Sequence, residues 1–294
     1  QTRNSLVSEL TERYYGLSLA LQVVEVRRQV LEGMQHHLAD AKALEANGII
    51  AKGERLYAEV HTAEAEREYL AAQKTAATPI SSMFILSQIE DVDHFKQLAL
   101  NNNPQLRQVG LKKDLAVEGV RLQRADFAPQ VALMGGASFY NYQVTPLMPR
   151  WAVGAGVSFK IFDGLNREYK FSAAKSQVRQ VEALNVKAQH DILTLIDKLY
   201  NEMTTYNEQL PSIDAAYNFA AEYLRIKEEA FKEGAAPSSD VVDAQLNLAK
   251  IKTERLQAAY YYDLMLARLL EACGESEMLT EYARRPAAMP IRYE

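Results

Sequence analysis

The chain has 294 residues, 48% of them apolar, enough to bury a sizeable core in one domain or in two joined halves. Nine prolines and thirteen glycines favour long helices over a loop-rich enzyme fold, and a formal charge of −5 leaves no basic footprint for nucleic acid. Cys273 is the only cysteine, which excludes an intramolecular disulfide and any cysteine-based metal cluster.

No run of eighteen apolar residues is present and no signal-peptide pattern follows Gln1, as expected of a mature or shortened chain. Barrel strands escape such scans, because they alternate apolar with polar residues. From Ser5 to Asn47 the chain reads as one helix nearly free of breakers, on the order of 60 Å long at about 1.5 Å per residue. Gly48 breaks it. Leu56, Val60, Ala63, Arg67 and Leu70 then recur at alternating spacings of four and three, the spacing of a coiled-coil seam. Residues 79–93 form a connector of mixed composition. Asp93 or Asn103 is placed to cap the helices that follow, Pro104 suits a first helical position, and a helix is expected over 106–126.

Between Pro129 and Gly164 the period changes to two. Val131, Leu133, Ala137 and Phe139 alternate with Ala132, Met134, Gly136 and Ser138. After a turn near 146–149, Trp151, Val153, Ala155, Val157, Phe159 and Ile161 share one face, and Ala152, Gly154, Gly156, Ser158 and Lys160 share the other. Each run is long enough to cross a bilayer as a tilted strand, for which about 9–11 residues suffice. The aromatics Phe139, Tyr140, Tyr142, Trp151, Phe159 and Phe162 lie in or beside these runs, most of them toward strand ends, as in the girdles of outer-membrane barrels. A soluble hairpin packed on helices is the other reading, since a lone strand pair leaves two edges and an apolar face to be covered. After Gly164 a further helix carries the stripe Ile192, Leu195, Ile196, Leu199, Met203 and Tyr206, which Pro211 is expected to bend or interrupt.

A repeat organises these helices. The segment from Gly48 to Val60 runs parallel to the segment from Gly234 to Leu246 at an offset of 186 residues, matching Glu54 with Asp240, Leu56 with Val242 and Ala58 with Ala244. Downstream the register pairs Ala63 with Ala249, Leu70 with Leu256 and Ala72 with Ala258; upstream it pairs Tyr14 with Tyr200 and Leu38 with Leu224. Two copies of one helical hairpin follow from this. The second copy repeats the seam with Val242, Leu246, Ala249, Thr253, Leu256 and Tyr260.

Together these pieces resemble the TolC family of outer-membrane efflux channels. The resemblance rests on Asn102-Asn103-Pro104-Gln105-Leu106 opening a helix, on residues 125–130 entering a strand, and on Trp151 to Phe159 with Phe162-Asp163-Gly164 leaving one. The Gly234 to Gln245 segment, Leu248-Ala249 and the closing residues 269–274 continue it. It implies a mainly α chain with a β-hairpin, in a homotrimer whose protomers build a periplasmic α-barrel and share an outer-membrane β-barrel. The expected segments are a first helical hairpin of the α-barrel over 1–78, a connector over 79–104, a helix leading to the barrel over 105–128, a transmembrane strand pair over 129–163, a second helical hairpin over 164–274 and a tail over 275–294. The family's first helix and first strand pair would precede Gln1. A periplasmic adaptor, an inner-membrane transporter of the RND or ABC type and outer-membrane lipid are the implied partners; no cofactor is implied.

The resemblance places the Gly48 and Gly234 turns at a constricted periplasmic tip, where Asp240 and Asp243 match acidic positions lining the entrance and Glu54 and Tyr57 occupy the equivalent places in the first copy. The residues themselves offer a plainer account of Asp240: Ser238 or Ser239 caps the helix, and an acid in its first turn suits the dipole. Asp243 lies one turn on, so threefold symmetry would stack anionic rings. Tyr223, Arg225 and Lys227 are candidate tethers between hairpins or ordinary surface polarity. His36 and His37 are adjacent and read as a solvated pair rather than metal ligands, and Glu64, Glu66 and Glu68 as an exposed helix face rather than catalytic carboxylates. Gly135-Gly136 and Gly154-x-Gly156 lack the following helix of a nucleotide loop. The expected function is a passive duct for small molecules driven by an inner-membrane pump, with no catalytic or metal residues. The alternatives are a duct for type I protein secretion, or a soluble helical scaffold.

Overall fold

The structure, a computed structural model, describes residues 2–75, 83–137 and 151–291. In chain order its elements are α1 (Thr2–Ala46), α2 (Lys52–Thr75), β1 (Met83–Leu86), α3 (Val92–Asn102), α4 (Pro104–Ala125), β2 (Gln130–Ala137), β3 (Trp151–Ser158), α5 (Asn166–Lys232), α6 (Ser238–Cys273), a 3-10 turn (Ser276–Met278), α7 (Leu279–Arg284) and β4 (Ala288–Ile291). The chain is mainly α with a β-hairpin, and it divides into two compact units: residues 1–103 with 192–294, and the intervening 104–191.

The first unit holds both helical hairpins. α1 runs the whole expected length and packs along α2 and α6. Where α1 meets α6, the Gln245 side chain lies over Gly33, in the space a Cβ there would occupy. α5 continues as a single helix through Pro211, contrary to the expected interruption, because that exposed residue faces away from the buried stripe Ile192, Ile196, Leu199, Met203 and Leu210. Apolar residues at helical spacing on the buried side outweigh one lost backbone hydrogen bond.

Beside the hairpins the connector and the chain's last residues pair as a small sheet, Met83 opposite Ile291 and Leu86 opposite Ala288. Every residue of β1 is buried. The Phe84 N–H donates to Asp263 Oδ2 at 3.1 Å, and Asp263, wholly buried on α6, has no partner for its Oδ1 among the described residues. Burial pushes the Asp263 carboxyl well above the usual carboxylate range, against the opposing Phe84 N–H. Asp91, not Asp93, caps α3, accepting from the His94 N–H at 3.0 Å. The Asn103 Nδ2 donates to the carbonyl of Ala272 at 2.7 Å, and Pro104 opens α4 as expected.

The second unit contains α4, the strand pair and the start of α5. β2 and β3 pair antiparallel from Gln130 opposite Ser158 to Ala137 opposite Trp151. Directly opposed residues share a face, so Val131, Leu133, Trp151, Val153 and Val157 line one side and glycines, alanines, Met134 and Ser158 the other. Among the described residues neither face is covered: Leu133 on one is 81% exposed and Met134 on the other 64%. No helix of the described residues is long and apolar enough to cross a membrane.

Candidate functional site

The two hairpin turns share one backbone design. Gly48 and Gly234 both sit at φ +74°, the left-handed region where a side chain is strained. In the first turn Gly48 N donates to Glu45 O and Ile49 N to Leu44 O; in the second Gly234 N donates to Phe231 O and Ala235 N to Ala230 O. Both are Schellman endings of the preceding helix, in the same repeat register. The next helices also begin alike, Glu54 N donating to Ala51 O and Asp240 N to Pro237 O. Ala41, Ala58, Leu224, Phe231, Val241 and Ala244 form a common buried cluster under the two turns.

Side chains divide the work unequally. Neither Ser238 nor Ser239 caps α6: Pro237 holds that position without a side-chain hydrogen bond, and the Ser238 N–H donates instead to Glu54 Oε2, 2.7 Å away on the first hairpin. Glu54, the repeat partner of Asp240, thus acts as the anion at the other hairpin's helix start. Asp240 accepts from Lys227 Nζ at 2.6 Å, which raises the lysine's pKa, and Lys227 also lies 5.3 Å from the Tyr223 ring centroid. Arg225 binds Glu222 and Glu229 of its own helix. Asp243 is exposed, and Tyr57 is 38% exposed, its ring tilted against His61 at 4.4 Å. Of the expected acidic pair, Asp240 is therefore ion-paired with Lys227, and Asp243 is exposed.

His37 departs furthest from expectation. It is not solvated but 6% exposed, its Nε2 2.5 Å from Ser238 Oγ and its ring 4.5 Å from that of Phe231. Burial lowers its pKa against the pull of Asp40 and Glu54. His36 alone faces water. Gly33, one turn before His37, lies on the same α6-facing side of α1, a coverage that the residues of α1 alone do not report.

In the second unit Trp151, 70% exposed, opens β3. Phe159 and Phe162 lie beyond the end of that strand rather than within it, 53% and 79% exposed. Phe139, Tyr140 and Tyr142 fall outside the described residues. Arg167 stands over the Phe127 ring, 5.3 Å from its centroid, with its Nε 3.3 Å from Asp163. Among the described residues no group of three or more histidine, cysteine or carboxylate side chains is arranged to hold a metal.

Long paired helices with duplicated turns, together with an exposed strand pair of one apolar face, are the elements of a TolC-like fold. The outer membrane efflux protein family matches residues 96–275, more than half of the chain, and the chain belongs to that family of outer-membrane channels. Among similar proteins, the outer membrane protein TolC of Vibrio cholerae is 24% identical over 173 residues, covering 58% of this chain but 39% of the relative. The solved structure of the outer membrane protein VceC from Vibrio cholerae superposes with a TM-score of 0.74 at 17% identity, over 93% of this chain and 70% of that one. The Campylobacter jejuni CmeC outer membrane channel does so with a TM-score of 0.72 at 15% identity, over 96% and 66%. These likenesses show the fold.

Proposed function

We propose that this chain belongs to a homotrimeric exit duct of a tripartite efflux system. Small molecules cross its lumen passively, an inner-membrane pump of the RND or ABC type supplies the energy, and a periplasmic adaptor docks at the hairpin tips. The observation that carries the ring assembly is an interface satisfied once and left open once. Within the chain α6 buries Val242, Ala249 and Leu256 and meets the face of α1 that carries Gly33 and His37. The repeat equivalents are bare: Leu56 and Leu70 on α2 are 44% and 48% exposed, and Phe219 and Tyr223 on α5 are 69% and 39% exposed. A surface and its complement left open on one chain make a head-to-tail interface, which closes as a ring of copies. Three copies would give six hairpins around one lumen, and the apolar face of β2 and β3 would meet lipid.

In that ring the exposed Asp243 is the acid that contributes most to an anionic constriction, because Asp240 is already held by Lys227. Mass measurement on the full-length protein extracted in detergent, followed by planar-bilayer recording, tests the reading. A trimer with discrete conductance supports it; a water-soluble species without conductance favours a helical scaffold and removes the duct. In a conducting trimer, Asp243→Ala should weaken cation block from the periplasmic side more than Asp240→Ala does, and the double variant should weaken it most. Unchanged block in the double variant would sink the gate assignment.

A further inference from the structure

The tip contains a titratable group that the duct reading leaves unused. Four helices meet at His37: its own α1, α2 through Glu54, α5 through Phe231 and α6 through Ser238. Ser238 is fully buried, its hydroxyl facing the His37 ring and its N–H held by Glu54. The first hairpin therefore grips the start of α6 from two sides through one residue. We propose that His37 is an acid-responsive latch: the neutral ring holds the two hairpins together at the tip, and its protonation releases them.

The chemistry of the contact gives the direction. A neutral imidazole and a serine hydroxyl complement one another in either tautomer, whichever nitrogen carries the proton. An imidazolium must donate from both nitrogens, which forces the Ser238 hydroxyl to accept and to find another acceptor for its own proton. A ring only 6% exposed would then carry its charge against a fully buried hydroxyl that can serve it only as an acceptor. The surrounding charges oppose this only in part. Asp40 on α1 and Glu54 on α2 both attract the proton, but Asp40 is shared with Lys232 of α5 and Glu54 is engaged by Ser238 N–H. On the neighbouring turn of α5, Lys227 is bound to Asp240 of α6, and Glu228 lies near Asp40, Lys232 and His36. Burial prevails, and the ring resists protonation while the tip is packed.

Linkage fixes the sign. The ring takes a proton more readily once the hairpins separate, where its pKa returns toward about 6.5. The packed arrangement is therefore favoured fully above that pH. As pH falls below it, the ratio of packed to separated tips drops by up to about tenfold per unit until the depressed value is passed. As a consequence for transport this rests on the duct reading; as a statement about packing it does not.

Hydrogen exchange on the full-length protein in detergent tests the latch, comparing amides of residues 33–41, 50–58 and 236–246 at pH 7.5 and pH 5 after correction for intrinsic rates. Acid should raise their opening in the wild type, by no more than the roughly tenfold per pH unit that one proton allows, and much less in His37→Gln, which keeps a neutral hydrogen-bonding side chain. An equal pH response in His37→Gln, or none in the wild type, overturns the proposal. Imidazole-proton exchange of His37 in the unaltered protein gives an independent reading should the variant fold poorly: a midpoint below about 6.5 is expected, and one at or above it overturns the latch. Bilayer recording separates the two ideas. Acid-loosened tips in a protein that never conducts would sink the duct and keep the latch, whereas a conducting trimer with pH-independent tip exchange would do the reverse.

Discussion

The two hairpin tips share a backbone and differ in whom they hold. Glycine angle, turn hydrogen bonds and helix starts coincide at Gly48 and Gly234. Yet the first tip closes on itself through Arg55 and Glu45 at 2.6 Å, leaving Glu54 to seize the second, while the second closes on itself through Lys227 and Asp240 at the same distance. Duplication of a turn thus specifies a shape, and the side chains laid on it decide whether that shape reaches outward or inward. A symmetrical backbone carries an asymmetrical set of grips.

Substitutions at matched positions sharpen this contrast. The largest difference is expected at the seam, where Leu256 is fully buried and its counterpart Leu70 is 48% exposed. Leu256→Ala should destabilise the fold by about 3 kcal/mol in thermal unfolding. Leu70→Ala should change chain stability by less than about 1 kcal/mol but weaken association between copies, measured by trimer dissociation in detergent. Equal losses of fold stability would erase the distinction between a filled and an open seam. Next come the turns. Gly48→Ala meets nothing within 4 Å and should cost only the left-handed strain, about 1 kcal/mol. Gly234→Ala should cost more, because Ile49 Cγ2 would lie 3.0 Å from the new Cβ. The smallest effect belongs to the caps: Glu54→Ala should remove about 1 kcal/mol or less by exposing the start of α6, and it should speed amide exchange at Ser238 and Ser239, whereas Asp240→Ala should leave those amides protected. Equal exchange in the two variants would show that the grips are interchangeable after all.

Much of this architecture is legible in the residues. Breaker-free stretches and glycines at a fixed offset mark α1, α2, α5 and α6, and a switch to period two marks β2 and β3. What escapes is everything that depends on a distant partner. Periodicity reports which side of a helix is apolar and not what covers it, so His37 reads as solvated until α6 is laid against it. Glu54 reads as the equivalent of Asp240 although it serves the other hairpin. Met83 to Leu86 is a four-residue apolar run with no period to interpret, and its partner strand lies at the far end of the chain. Pro211 misleads for the opposite reason: its local cost is real, but a long buried stripe outweighs it.

The small sheet of β1 and β4 has a consequence for how the protein is made. Ser87, at the end of β1, bonds to Ala287 across 200 positions of sequence, so the four apolar residues of β1 stay unsheltered until β4 has been made. Closing so large a loop is slow compared with forming a helical hairpin. The hairpins are therefore ready early, and the sheet closes only after both of them. A chain in which β1 has not met β4 keeps an open, apolar strand edge, the kind of surface that invites wrong pairing.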